Sequence, residues 1–300
     1  MLADKKKWEG TFVALATPFS GGKLDEEAYA RLCEEVLDQG CEGLVPCGTT
    51  GETPTLSVEE QERCVRIAVE AARKKGATVI AGAGSNSTAA TIEAVRRVKA
   101  AGADAALVVT PYYNKPTQAG IVAHYRAIAE AVPGFPIVAY VVPGRTASDI
   151  LPDTYPALAQ IEEVVAVKEA TASMQRVIDI RERVGDRFVL LSGDDFTVLP
   201  FIACGGRGVI SVSANVAPRL LSDLVRAAMQ GELERARELQ VRLNPLHRAL
   251  FLESNPIPVK AALHLMGRFD DEVRLPLTPA TETTRQALRA GLSALGIEIR

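Results

Sequence analysis

Short apolar runs rich in valine, isoleucine and alanine recur along the chain, most of them followed by a longer stretch in which apolar positions return every three or four residues. There are eight such runs: FVALATP, GLVPCG, TVIAGAG, AALVVTP, PIVAYVVP, VVAVKEA, FVLLSGD and GVISVSA. A run that is apolar on both faces is the signature of a strand in a parallel sheet, covered by helices on each side. The intervening stretches carry helix punctuation. DEEAYARLCEEVLDQG opens on acids and ends at Gly40, and SVEEQERCVRIAVEAARKKG opens with Ser57 and Glu60 at capping-box spacing and stops at Gly76. This alternation of strand and helix predicts a parallel α/β sheet. Eight units, with no GxGxxG after the first strand, predict a closed (β/α)8 TIM barrel in place of a doubly wound sheet.

After GVISVSA the strand pattern stops and helical periodicity continues alone, over roughly 218–229, 231–251, 256–267 and 280–296. The first of these closes the barrel, which predicts a catalytic barrel over 1–229 and a C-terminal helical extension over 230–300. No linker rich in glycine, serine or proline separates the two, so the extension is expected to pack on the barrel. Within ESNPIPVK, Asn255 followed by Pro256 reads as an N-cap with proline at the first helical position.

Composition narrows the function classes. The 300 residues are 47% hydrophobic and 24% charged, with a net charge of −3 and scattered basic residues. That distribution lacks the footprint of a nucleic-acid binder and favours a small-molecule partner. No stretch approaches the ~18 apolar residues of a membrane span, and MLADKKKWEG has no apolar segment behind its basic cluster, so a cytoplasmic location is expected. The five cysteines (Cys33, Cys41, Cys47, Cys64 and Cys204) are odd in number and lack CxxC spacing, and His124, His247 and His264 form no ligand pair. No metal is expected.

One residue stands out against its surroundings. Lys168, one of ten lysines and the only one inside a predicted strand, sits among valines and alanines in VVAVKEAT. Removing an ammonium from water costs several kcal/mol, so such a lysine is paired, reaches the rim, or is used. A desolvated amine is a nucleophile able to form a Schiff base with a carbonyl. Its alternation partners Ala166 and Ala170 are small and leave space around it inside a barrel. Tyr140, one strand earlier at similar depth, brings a phenol that suits proton transfer beside an amine, although a tyrosine is equally at home in a core. Arg145, in PGRT on the loop above the barrel mouth, carries a donor fork that suits a carboxylate or an ordinary surface ion pair. GTTGE offers a tight turn with two hydroxyls and backbone amides able to cradle a small carboxylate. Active sites of such barrels lie at the C-terminal strand ends, so CGTTGE, TPYYN, YVVPGRT, KEAT and SGDD are expected to converge.

Taken together and in order, GTTGE, TPYYNKPTQ, VPGRT, KEAT and LSGDD resemble the pyruvate-dependent class I aldolases related to dihydrodipicolinate synthase, over nearly the whole chain from FVALATPF to NPIPVKAALHLMG. The resemblance implies that Lys168 forms the imine with pyruvate and that no separate cofactor is needed. It implies that Tyr140 is the general acid/base, that Thr49 relays protons, and that Tyr113 completes the relay from a neighbouring subunit. Thr50 would hold the pyruvate carboxylate, Arg145 the carboxylate of aspartate semialdehyde, and Ile210 would turn its backbone carbonyl to the site. It further implies a homotetramer built from two tight dimers. Val141 stands where the synthases usually have asparagine; by alternation it should face the helix layer. A sister lyase acting on N-acetylneuraminate or a 2-keto-3-deoxy or 4-hydroxy-2-oxo acid would use the same lysine, as against a barrel that only binds a keto acid. In lysine-inhibited relatives the effector site lies at a dimer interface near the positions of Tyr112 and Asn86. Ala90 and Gln61 stand here in place of its glutamate and histidine, and Val58 at a second commonly polar position, which predicts weak inhibition or none.

Overall fold

The computed structural model describes residues 4–299. Ten strands are formed: β1 (Gly10–Ala14), β2 (Phe19–Ser20), β3 (Lys23–Leu24), β4 (Gly43–Val45), β5 (Thr78–Gly82), β6 (Ala105–Val109), β7 (Ile137–Val141), β8 (Val164–Glu169), β9 (Val189–Ser192) and β10 (Gly208–Ser211). Eight of them close a parallel barrel in the order β1-β10-β9-β8-β7-β6-β5-β4, with β1 pairing β4 to complete the ring. The eight predicted runs supply these eight strands. The remaining two form a small antiparallel hairpin turned by Gly21 and Gly22, both at positive φ. Strands of two residues are too short to show alternation, so the hairpin was not expected, and it makes Lys23 a second strand lysine.

The helices are α1 (Glu26–Asp38), α2 (Val58–Lys75), α3 (Thr88–Ala100), α4 (Gln118–Ala131), α5 (Pro143–Thr146), α6 (Tyr155–Leu158), α7 (Met174–Val184), α8 (Val198–Ala203), α9 (Pro218–Met229), α10 (Leu233–Leu250), α11 (Ile257–Leu265) and α12 (Glu282–Ala294). The punctuation works as read: Ser57 and Glu60 form the reciprocal capping box of α2, and Gly76 ends it in the left-handed conformation. Four helices after the last strand occupy the expected stretches within one to two residues per end. One cap differs. The helix predicted from Pro256 begins at Ile257, and the Asn255 side chain caps nothing: its Oδ1 accepts no hydrogen bond, while its amide donates to Thr50 Oγ1 at 2.9 Å.

Two apolar layers follow from the strand faces. Inward side chains such as Phe12, Val45, Ile80, Val138 and Ile210 fill the barrel together with Trp8, which a single 3-10 turn delivers before β1. Outward side chains, Val141 and Val167 among them, pack under the helices. Val141 therefore faces the helix layer, as alternation predicts. Gly43 shows how tight the interior is: a Cβ there would lie 2.5 Å from both the Phe12 ring and the Thr78 carbonyl oxygen.

Candidate active site at the barrel mouth

β7 and β8 run in register so that Tyr140 is the direct partner of Lys168. The lysine is 7% exposed, and its Nζ lies 4.2 Å from the centroid of the Tyr140 ring. Among the described residues it makes neither a hydrogen bond nor an ion pair. The Tyr140 ring face is the contact its nitrogen makes, and the nitrogen is otherwise uncommitted. The room for the lysine comes from Gly193, just past β9. A Cβ at that position would stand 3.1 Å from Lys168 Cε and 2.6 Å from Ala170 Cβ.

Above this pair a cavity of about 360 Å³ opens at the C-terminal ends of β4 to β7. Thr49, Tyr112, Tyr140 and Arg145 supply its polar wall, and Leu107 and Val109 much of its apolar one. Arg145 is exposed, lies on the one-turn helix α5 where a loop was expected, and enters no ion pair among the described residues. Its Nη2 donates only a long 3.4 Å hydrogen bond to the Asn255 carbonyl, so most of its donor fork faces the cavity uncommitted. Thr50, Ile210 and Lys168 are not among the residues that line the cavity, although Tyr140, the strand partner of Lys168, is. Thr50 and Ile210 are almost fully buried. Tyr113 is elsewhere: it is 88% exposed, at positive φ, and outside the cavity of its own chain.

The GTTGE turn is built under strain. Cys47, just before it, and Glu52, its last residue, both hold left-handed φ values near +55° without being glycine. Within it the Gly51 and Glu52 amides donate to Gly48 and Thr49 carbonyls at 3.1 Å. The Gly48, Thr49 and Thr50 amides donate to no acceptor among the described residues, so three successive N–H groups remain uncommitted.

Three strand-end groups do not join the cavity as expected. Glu169, next to Lys168, is turned the other way, accepts from the Thr171 amide at 2.7 Å and is pushed above the usual carboxylate range by burial. Asp194 is half-buried on Thr197 and pushed up for the same reason. Asp195 is buried and braces the β10 end, accepting from the Val212 and Ser213 amides and from Ser213 Oγ, whose oxygen also meets His247 Nδ1 at 2.8 Å. Four cysteines are buried thiols, and burial pushes Cys41 to about 12, which makes it unreactive.

The sequence reading missed a second buried lysine. Lys260 on α11 is fully buried, and its Nζ donates to Glu52 Oε1 at 2.6 Å, with Glu52 equally buried. Burial holds Lys260 below the usual lysine range although Glu52 acts in the opposite direction. The signal was present: a single lysine in the apolar run IPVKAAL is as anomalous as Lys168 in its strand.

Lys168 and Tyr140 stand at register positions, and Arg145 lines the cavity with most of its donor fork uncommitted. Residues 7–295 match the model of the dihydrodipicolinate synthetase family. The chain belongs to the dihydrodipicolinate synthetase family. Among its relatives in that family, a 4-hydroxy-tetrahydrodipicolinate synthase from Anaeromyxobacter sp. (strain Fw109-5) is 52% identical over 292 residues, 97% of this chain and 98% of the relative. The crystal structure of dihydrodipicolinate synthase from Aquifex aeolicus superposes with a TM-score of 0.94 at 44% identity, over 97% of this chain and 99% of that one. The chloride-inhibited enzyme from Acinetobacter baumannii, solved in complex with pyruvate, gives 0.93 at 43% identity, over 96% and 99%. The family's barrel and its C-terminal helices are thus those seen here.

Proposed function

We propose that this protein is a lyase of the class I aldolase type that condenses pyruvate with L-aspartate 4-semialdehyde to 4-hydroxy-tetrahydrodipicolinate, the step that leads toward diaminopimelate and lysine. The observation that carries the reading is the unpaired, buried Lys168 in register with Tyr140, which lines the cavity. The Lys168 amine adds to the pyruvate ketone and water leaves, giving an imine. Loss of a methyl proton turns the imine into an enamine, whose carbon attacks the aldehyde. The semialdehyde's own amino group then closes the ring onto the imine carbon and releases the lysine. Tyr140 gives and takes the protons of these steps at the imine and the new hydroxyl, with Thr49 relaying them.

Thr50 holds the pyruvate carboxylate through its hydroxyl and the free amides of the GTTG turn, and the Ile210 carbonyl faces the same space. Arg145 grips the carboxylate of the second substrate. Tyr113, so exposed on its own chain, completes the relay in a neighbouring subunit, and the assembly is a homotetramer in the cytoplasm, with the barrel of 1–229 carrying the chemistry and residues 230–300 packed against it. No helix is long and apolar enough to cross a membrane among the described residues.

The test is a substrate panel with trapping. Pyruvate and borohydride should label Lys168, and aspartate semialdehyde should be consumed with pyruvate far faster than N-acetylneuraminate or a 2-keto-3-deoxy acid is cleaved. Labelling with preferred cleavage of a sugar acid would move the protein to the sister lyases; no labelling with activity intact would remove the imine.

The same reading extends to regulation. Ala90 offers no carboxylate, and the Gln61 side-chain amide is committed to the Thr53 and Leu56 carbonyls, each at 3.3 Å. A ligand ammonium without its carboxylate forgoes about 1.5–3 kcal/mol, roughly ten- to hundredfold in affinity. L-Lysine should therefore fail to half-inhibit at low millimolar concentration, and a dose–response curve with a micromolar midpoint would sink this expectation.

A further inference from the structure

The turn that presents Thr49 and Thr50 is held from outside the barrel. Glu52, its last residue, uses both carboxylate oxygens on partners more than 200 positions away: Oε1 on Lys260 Nζ at 2.6 Å and Oε2 on the Arg274 backbone amide at 3.0 Å. Thr50 Oγ1 is tied to Asn255 Nδ2 at 2.9 Å. The aromatic ring of Phe19, on the hairpin, has Lys260 Nζ and the Arg274 guanidinium each 4.1 Å from its centroid. On the barrel side the turn is tied by Thr17 Oγ1, which donates to the Gly51 carbonyl at 2.9 Å. Neither Glu52 nor Lys260 lines the cavity.

An ion pair buried this completely is a poor source of stability, because desolvation of both charges offsets most of their attraction and apolar residues of the same volume commonly do as well. What a charge pair does better is fix one geometry. A buried carboxylate must keep its donors, so Glu52 stays in a strained left-handed conformation and the turn before it has a single position. We propose that Lys260 is a positioning residue which, through Glu52, fixes the GTTG turn so that Thr49 and Thr50 meet pyruvate. The C-terminal extension is thereby a working part of the active site. This rests on the function proposed above.

The decisive variant is the double substitution Glu52→Leu with Lys260→Met, which removes both charges and keeps the volume. It should fold, still be labelled at Lys168 by saturating pyruvate and borohydride, and show KM for pyruvate raised tenfold or more with kcat lowered at least tenfold. Lys260→Arg, which keeps the charge, should recover part of both. Wild-type KM and kcat in the folded double variant would overturn the proposal, as would a loss of kcat that only tracks the unfolded fraction with KM unmoved. If the double variant does not fold, Asn255→Ala reads the same turn through its tie to Thr50. A KM for pyruvate raised severalfold supports the proposal, and an unchanged KM overturns it. Unlabelled Lys168 in the wild type would overturn the function and this inference together, whereas labelled wild type with unaffected variants overturns the inference alone.

Discussion

Lys168 and Lys260 are two buried ammonium groups in one chain, each lying about the same distance from an aromatic centroid, 4.2 Å from Tyr140 and 4.1 Å from Phe19. They differ in what else surrounds them. Lys260 has a carboxylate at 2.6 Å and no exposure. Lys168 has no carboxylate partner among the described residues, retains 7% exposure, and is the strand partner of Tyr140, which lines the cavity. Burial alone therefore does not mark a reactive lysine. Under the function proposed above, the unpaired nitrogen is the one that reacts, and the paired lysine is an architectural element.

Replacing each lysine should separate the two roles, and the largest effect is expected at the reactive one. Lys168→Ala should lower kcat/KM by at least about 10³-fold, roughly 4 kcal/mol of transition-state stabilisation, while thermal unfolding stays near wild type. Residual activity within tenfold of wild type would break the comparison. Lys260→Met leaves Glu52 buried without its partner and should cost about 3–5 kcal/mol of stability, a fall in Tm of about 5–8 °C by calorimetry, with imine trapping at Lys168 retained in the folded protein. An unchanged Tm would show that water reaches Glu52.

Smaller effects sharpen the contrast. Arg145, like Lys168, keeps its charge uncommitted. Arg145→Ala should raise KM for the semialdehyde about ten- to hundredfold, from a lost charged hydrogen bond of about 1.5–3 kcal/mol, and leave pyruvate trapping intact. Trapping that falls as far as turnover would mean that Arg145 organises the lysine's surroundings.

A last effect, on stability alone, belongs to the buried histidines. Burial lowers His124 to about 4 and lowers His247 as well. Their folded pKa values lie below the unfolded value of about 6.5, so the unfolded chain binds more protons as pH falls through that value. Stability should then decline from pH 6.5 toward 5 by up to about 1.4 kcal/mol per pH unit for each histidine. Glu169 and Asp194, raised by burial, act in the opposite sense nearer pH 5. A Tm that is flat between pH 7 and 5, or one that His124→Gln leaves equally steep, would count against this.

The sequence by itself determined the barrel, because the eight apolar strand runs and the long helices between them announce their periods and local punctuation ends them: Ser57 with Glu60, Gly76, and the return of valine runs. It also singled out Lys168, since a charge inside a doubly buried strand is anomalous without any knowledge of neighbours, and strand alternation sent Val141 outward and set Tyr140 beside the lysine. What only the tertiary structure decided are contacts between residues far apart in the chain. That Asn255 turns from capping to Thr50, that Glu52 meets Lys260 across 208 positions, and that Asp195 serves Ser213 and not the cavity depend on how the C-terminal helices settle on the barrel. A polar side chain in an apolar run states a need for a partner. Which of many distant groups meets that need is fixed by packing, because a buried charge or hydrogen-bonding group takes whichever complementary atom the close-packed interior brings within about 3 Å.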